Sequence, residues 1–277
     1  MIAALRTELR KVSTTRTWWL TALVMLGYMV VMGVIMAFSL VMGMREAEKA
    51  GGPPAGGSGF GNAVLDEMSI ATSVYTLAVA LGYIFPAILG ALSVTGEFRH
   101  RTITPTLLAE PRRGLVLASK LVAVLPFALV VAIAGVAGTV IGGAATLAIM
   151  GEPTLLADST IQRTIVLSVV ALTLWALVGV GFGSVLTNQV AAIVVLLAFT
   201  QFVEPLLRLL LAQFDATEAL SKFLPGAAGE AIAGSSLYVS SGLAELLSSW
   251  QGALTLLGYA VILVLIGRFT TFRRDIG

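Results

Sequence analysis

Cysteine is absent from this 277-residue chain, and histidine occurs once, as His100. No disulfide framework, thiolate metal site or catalytic thiol can therefore be built. Charge is scarce too: 17 Lys and Arg with 15 Asp and Glu amount to 12% of residues, about half the share in an ordinary soluble domain. Hydrophobic residues reach 57%, more than a soluble chain of this size hides from water. Disordered, collagenous and disulfide-rich secreted proteins are excluded by the same numbers, which leaves a polytopic membrane protein. The net charge of +2 and pI of 9.1 do not point to nucleic acid, because no basic stripe is interleaved with aromatics.

Catalytic equipment is thin. The lysines are Lys11, Lys49, Lys120 and Lys222, and none stands in a G-x-x-x-x-G-K-[ST] setting. ATP, if it drives this protein, is bound by another polypeptide. A membrane-embedded hydrolase needs a nucleophile with a base, or a metal cluster. The carboxylates read as confined to loops, and His100, among arginines, reads as a solvated loop residue. No enzymatic site, metal site or bound cofactor is expected in this chain.

What is present is a set of long uncharged runs: 17–44, 69–96, 121–151, 164–203 and 246–267. A helix crosses the roughly 30 Å hydrocarbon core with about 20 residues, so the run 164–203 holds two spans joined near Thr187-Asn188-Gln189. The expected fold is all-α, with transmembrane helices at about 18–43, 71–95, 116–149, 163–186, 190–211 and 249–269. Pro126 predicts a kink or tilt in the third. Gly138-x-x-x-Gly142 and Gly179-x-x-x-Gly183 predict close helix packing.

Basic residues set orientation. With both termini in the cytoplasm, 12 of the 17 Lys and Arg lie inside and 11 of the 15 acids outside. The reversed topology puts most basic residues outside and is rejected. Residues 1–16 lack a cleavage site and precede a run too long for a signal peptide. Ile2, Leu5, Leu9 and Val12 recur at helical spacing, with Arg6, Glu8, Arg10 and Lys11 between them and Arg16, Trp18 and Trp19 following. That pattern fits an amphipathic interfacial helix, or alternatively a plain positively charged anchor.

Ala50 to Gly61, AGGPPAGGSGFG, reads as a flexible outer linker. The segment 212–248 is too apolar for a solvated loop and reads either as short helices packed back on the bundle or as a surface helix pair. The span centres carry no charge, so no ion pathway is marked. Glu204 and Arg208, spaced i,i+4 and followed by Pro225, either line an outer gate or form an interfacial pair at a helix end.

The segment 96–120 reads GEFRHRTITPTLLAEPRRGLVLASK. Its stretch Thr104 to Ala109 suits a short helix, begun at Thr104-Pro105 and closed by Pro111. Its prolines and its basic residues suggest a docking element at the inner surface. At Glu97, Arg99, Thr102, Leu107 or Leu108, Pro111, Arg112, Arg113 and Lys120 the chain resembles the permease subunits of ABC-2-type ABC transporters. Those proteins carry a Glu-x-Arg-x-Gly-Thr stretch, then leucine, proline, basic residues and a lysine entering the third helix. Arg101 stands where the family often has glycine. Glu8-Leu9-Arg10-Lys11 with Thr14-Thr15-Arg16 resembles the family's N-terminal elbow, Leu224-Pro225-Gly226 its outer segment, and Phe272-Arg273-Arg274-Asp275 its ending.

The resemblance implies a subunit of an ATP-driven exporter in a bacterial cell membrane. It implies a homo- or heterodimer of permeases, docked on two copies of a separate ATPase subunit that binds ATP and Mg. The elbow helix (Arg6, Glu8, Arg10, Lys11, Arg16) and the segment 96–114 would couple to that ATPase. In the latter the coupling residues would be Glu97, Phe98, Arg99, His100, Arg101, Thr102, Pro105, Leu108, Pro111, Arg112 and Arg113. Two rivals share the composition: a secondary, ion-coupled transporter, and a non-transport membrane scaffold.

Overall fold

The structure, a computed structural model, describes residues 2–49, 66–211, 219–235 and 246–273. It is all-helical, with no strand among these residues. Helix α1 (Ile2–Thr14) turns at Thr15 and Arg16 into α2 (Thr17–Lys49). Then come α3 (Glu67–Tyr75), α4 (Leu77–Leu81), α5 (Ile84–Arg99), α6 (Ile103–Ala109), α7 (Arg113–Met150) and α8 (Ser159–Val185). Helix α9 (Gln189–Ala198) runs through a π-helical turn, Phe199–Val203, into α10 (Glu204–Leu211). The last helices are α11 (Pro225–Ala233) and α12 (Ser249–Phe269).

Five helices are long and apolar enough to cross a membrane: α2, α7, α8, the continuous stretch Gln189–Leu211, and α12. The protein is a membrane protein on this ground, and its exterior agrees. Leu23, Val31, Ile35, Phe38, Ile133, Val166, Phe202 and Ile262 are all exposed, an apolar surface that only lipid or another membrane subunit can cover.

The expected span 71–95 is not one helix. It is broken after Tyr75 and again at Gly82-Tyr83, so none of its three pieces is a full span. Gly82 sits against Met25, and the hydroxyl of Thr76 donates to the Thr72 carbonyl within the preceding turn. Helix α7 continues through Pro126. The short helix after the turn starts at Ile103, behind Thr102, rather than at Thr104. The joint between α8 and α9 falls where expected, with Asn188 Oδ1 accepting from Ala191 N at 3.1 Å. The linker 50–61 lies outside the described residues, as do 212–218, 236–245 and 274–277.

Glycine sets the helix contacts. A Cβ on Gly138 would lie 2.7 Å from the Leu26 carbonyl oxygen of α2, and one on Gly33 would lie 2.9 Å from that of Thr139. A Cβ on Gly183 would lie 2.6 Å from the Ala91 carbonyl oxygen of α5. Both small-xxx-small motifs therefore bring backbones together, α7 against α2 and α8 against α5. Helix α12 packs on α8 in the same way, with Gly267 against Ser184. The short helix α11 is buried along its whole length, between α8 and α12.

Candidate functional site

Two clusters of buried charge stand at opposite ends of the bundle. The first joins three elements that the sequence keeps far apart. Lys120, about two turns into α7, is fully buried. Its Nζ lies 2.7 Å from Glu8 Oε2 of α1 and 2.8 Å from Glu97 Oε1 of α5, and it donates to the Ser93 carbonyl at 3.0 Å. Lys11 Nζ lies 2.6 Å from Glu8 Oε1 and 2.5 Å from Glu97 Oε1, and donates to Thr106 Oγ1 of α6 at 3.1 Å. Lys11 thus donates to three oxygens, Lys120 donates to two and pairs with Glu97, and two acids balance two bases. A buried charge is tolerated on those terms.

This geometry corrects the reading of carboxylates as loop residues: Glu8 and Glu97 are helical and buried. It places elbow residues Glu8 and Lys11 in one cluster with Glu97 of the expected coupling segment. Burial alone would lower the pKa of Lys11, but the hydrogen bonds and charges of Glu8 and Glu97 outweigh it and hold the ammonium above its ordinary 10.5. Glu97 Oε2 is buried without a partner. A cavity of about 460 Å³ opens beside the cluster, bordered by Lys11, Glu97, His100 and Gln189.

Elsewhere in the coupling segment Ile103 is buried in the core and Phe98 packs against it, while Arg99, His100, Arg101, Thr102, Pro111 and Arg112 are exposed. Arg99 reaches Gln189 Oε1 at 3.2 Å and so ties α5 to the α8–α9 joint. His100 caps the end of α5, and Phe98 meets Phe272 edge-on at 5.8 Å. Arg101 takes φ +55, with Arg101 N donating to the Phe98 carbonyl and Thr102 N to that of Glu97. That is the Schellman ending usually given to glycine, built here on an arginine. Pro105 is exposed, and so is Leu108, at 78%. Arg112 folds onto Glu110 at 2.8 Å and Arg113 onto the Phe272 carbonyl, so neither joins the cluster. Arg6, Arg10 and Arg16 are exposed as well.

The second cluster lies at the far end, about 22 Å along the helix from Gln189 at 1.5 Å per residue. Glu204 Oε1 accepts from Arg208 Nη2 at 2.8 Å, and Arg208 Nη1 lies 2.9 Å from Glu230 Oε2 of α11. Pro225 opens α11, and the next two amides, Gly226 N and Ala227 N, donate to Glu204 Oε1 at 2.6 and 3.2 Å. The pair is therefore buried and docked on the N-terminus of α11. Nearby, Tyr83 stacks on Trp175 at 4.4 Å and donates to the Thr200 carbonyl within the π turn. Glu204 Oε2 and Trp175 Nε1 are buried without partners.

Sequence reasoning missed Glu230, Tyr83 and Trp175. Glu230 carried one signal, a lone acid inside the otherwise uncharged Pro225–Ala233. Among the described residues no three His, Asp or Glu side chains converge as a metal-holding group. No protein-family profile matches the chain, and no curated protein sequence matches it.

Proposed function

We propose that this chain is the membrane-spanning permease subunit of an ATP-driven ABC-2-type exporter. In this reading it spans a bacterial cell membrane six times, with both termini in the cytoplasm and α1 in the inner interface. The broken stretch α3–α5 makes the second crossing. The chain pairs with a second permease subunit, and two copies of a separate ATPase subunit supply ATP and Mg chemistry.

The observation that carries this reading is the ion cluster Glu8–Lys11–Glu97–Lys120. It fastens α1, the end of α5 and, through Thr106, the exposed α6 to the long helix α7. A partner pressing on Pro105, Leu108, Arg99 or Arg101 therefore moves α5 and α7 together instead of bending a loose loop. A change of state needs a partner that binds the two arrangements with different affinity, and ATP-driven closure of the ATPase is such a partner.

The test is a complex reconstituted with a candidate ATPase subunit. Glu97→Ala and Arg99→Ala should abolish or weaken transport-stimulated ATP hydrolysis while the ATPase alone keeps its basal rate. Unchanged stimulation in both variants overturns the coupling role, and ATP hydrolysis by the purified single subunit overturns the division of labour.

One observation favours a second reading, the ion-coupled carrier. Glu204 and Glu230 are carboxylates buried in the helical bundle around Arg208, and such groups serve proton or ion relays in transporters. Uptake into vesicles holding this chain without an ATPase, driven by an imposed proton gradient, would select that reading.

A further inference from the structure

We propose that the arginine-lined hollow between the start of α7 and the end of α12 holds the headgroup of an anionic phospholipid. The inference rests on the membrane-spanning fold and not on the transporter reading.

The hollow has a volume of about 800 Å³ and is bordered by Arg112, Arg113, Arg268, Arg273, Phe269 and Phe272, together with the first turn of α7. Four arginines thus border one space. Glu110, outside the hollow, holds Arg112 at 2.8 and 3.1 Å. Arg113 is already engaged with the Phe272 carbonyl, which leaves Arg268 and Arg273 as the principal cationic walls.

Arg268 does not reach straight out into water. Its guanidinium lies against Gly114, where a Cβ would sit 3.1 Å from Cζ, and its Cζ is 5.5 Å from the centre of the Phe269 ring. The bare Gly114 gives the guanidinium room to lie flat across the start of α7. The arginine is thereby held by packing, with its planar donor fork at the edge of the hollow. A planar fork of that kind matches two phosphate oxygens.

The wall below the arginines is apolar. Ile262, Leu265, Ile266 and Phe269 follow one another along a face of α12 at helical spacing, each between 43% and 60% exposed. This face runs from the bilayer interior up to the hollow. A ligand that fits both parts has a negatively charged head and a long apolar tail, attached in that order. Basic pockets at the ends of membrane helices recognise lipid headgroups by this combination. A free nucleotide or phosphate would satisfy the arginines but leave the stripe below them unused.

The experiment uses the full chain purified in neutral detergent. Its thermal unfolding is followed with added phosphatidylglycerol, with phosphatidylcholine of the same acyl chains, and with inorganic phosphate. Phosphatidylglycerol should raise the midpoint by several degrees, the other two by less than a third of that. The double variant Arg268→Gln/Arg273→Gln should lose most of the shift, whereas Lys49→Gln/Arg163→Gln, two exposed residues at the opposite end of the bundle, should keep it. Equal loss in both double variants, equal shifts with the two lipids, or an equal shift with phosphate would each overturn the proposal. A readout on the unaltered chain guards against a variant that does not fold. Phosphatidylglycerol with a photoreactive headgroup should label the peptides around 112–115 and 268–273 at least threefold more than the other basic peptides, and even labelling would overturn the site.

Discussion

Lys120 Nζ and Glu8 Oε2 lie 2.7 Å apart across 112 residues of chain, and Lys120 has no exposed side-chain surface. The contact anchors α1 to the long helix α7. Its energetic role is asymmetric: the intact cluster is balanced, but removal of one partner strands the others. Breaking a buried pair from one side costs about 3–5 kcal/mol. Lys120→Met should therefore destabilise the protein by that order, measured by denaturant or thermal unfolding in detergent. The double variant Glu8→Gln/Lys120→Met should lose clearly less than the two single losses added together. Strict additivity would show that the two side chains do not act as a pair.

Arg101 occupies the left-handed region at φ +55, and Gly151 closes α7 with the same pair of backbone hydrogen bonds at φ +81. A side chain in that conformation costs roughly 1–2 kcal/mol, which glycine avoids. Arg101→Gly should raise stability by about 1 kcal/mol after allowance for the greater freedom of glycine in the unfolded chain. A loss of stability on this substitution would mean that the Arg101 side chain contributes more than its backbone strain removes.

Much of the bundle was legible because its signal is local. An apolar run of span length declares itself, and so does a Gly-x-x-x-Gly repeat; α2, α7, α8 and α12 all lie where those patterns put them. The break of the stretch 67–99 carried one signal that went unread: Pro86 has no N–H for the Gly82 carbonyl and its ring crowds that carbonyl, so the helix restarts at Ile84. The fit of Gly82 against Met25 of another helix is a tertiary fact. Glu8, Lys11, Glu97 and Lys120 each stood at the edge of an apolar run and could be singled out there. Their convergence depends on how α1 folds back, which no one-dimensional pattern carries. Glu204 and Arg208 were visible as an i,i+4 pair, but their burial is imposed by α11, whose Glu230 supplies the third charge.

Lys11 links stability to alkaline pH. Its folded-state pKa is raised above 10.5 because the hydrogen bonds and charges of Glu8 and Glu97 overcome the penalty of burial. A group raised in the folded state contributes stability fully below its unfolded pKa and loses it as pH rises through the folded value. The native protein should therefore lose stability as pH climbs past about 10.5. Lys11→Gln should start less stable at neutral pH and lose less over that alkaline range. Parallel alkaline limbs for the two proteins would remove Lys11 from the titration.

Gly226 tests the far cluster without removing a charge. A Cβ at this position would lie 2.5 Å from Arg208 Nη2 and 2.9 Å from Glu204 Cδ, while the Gly226 amide itself donates to Glu204. Even Gly226→Ala must push the guanidinium off the carboxylate or lift α11 from α10. Overpacking of a close contact costs typically 1–3 kcal/mol, and this one also lengthens a buried charged hydrogen bond. The expected outcome is destabilisation of at least that size, with faster proteolysis around 219–235 than in the unaltered chain. Gly234→Ala, one residue beyond α11 and with open space around its Cβ position, controls for the general effect of replacing a glycine there. Its penalty should come from its φ of +79 alone. If Gly226→Ala were tolerated better than Gly234→Ala, the docking of α11 on the Glu204–Arg208 pair would not be what holds that helix in place.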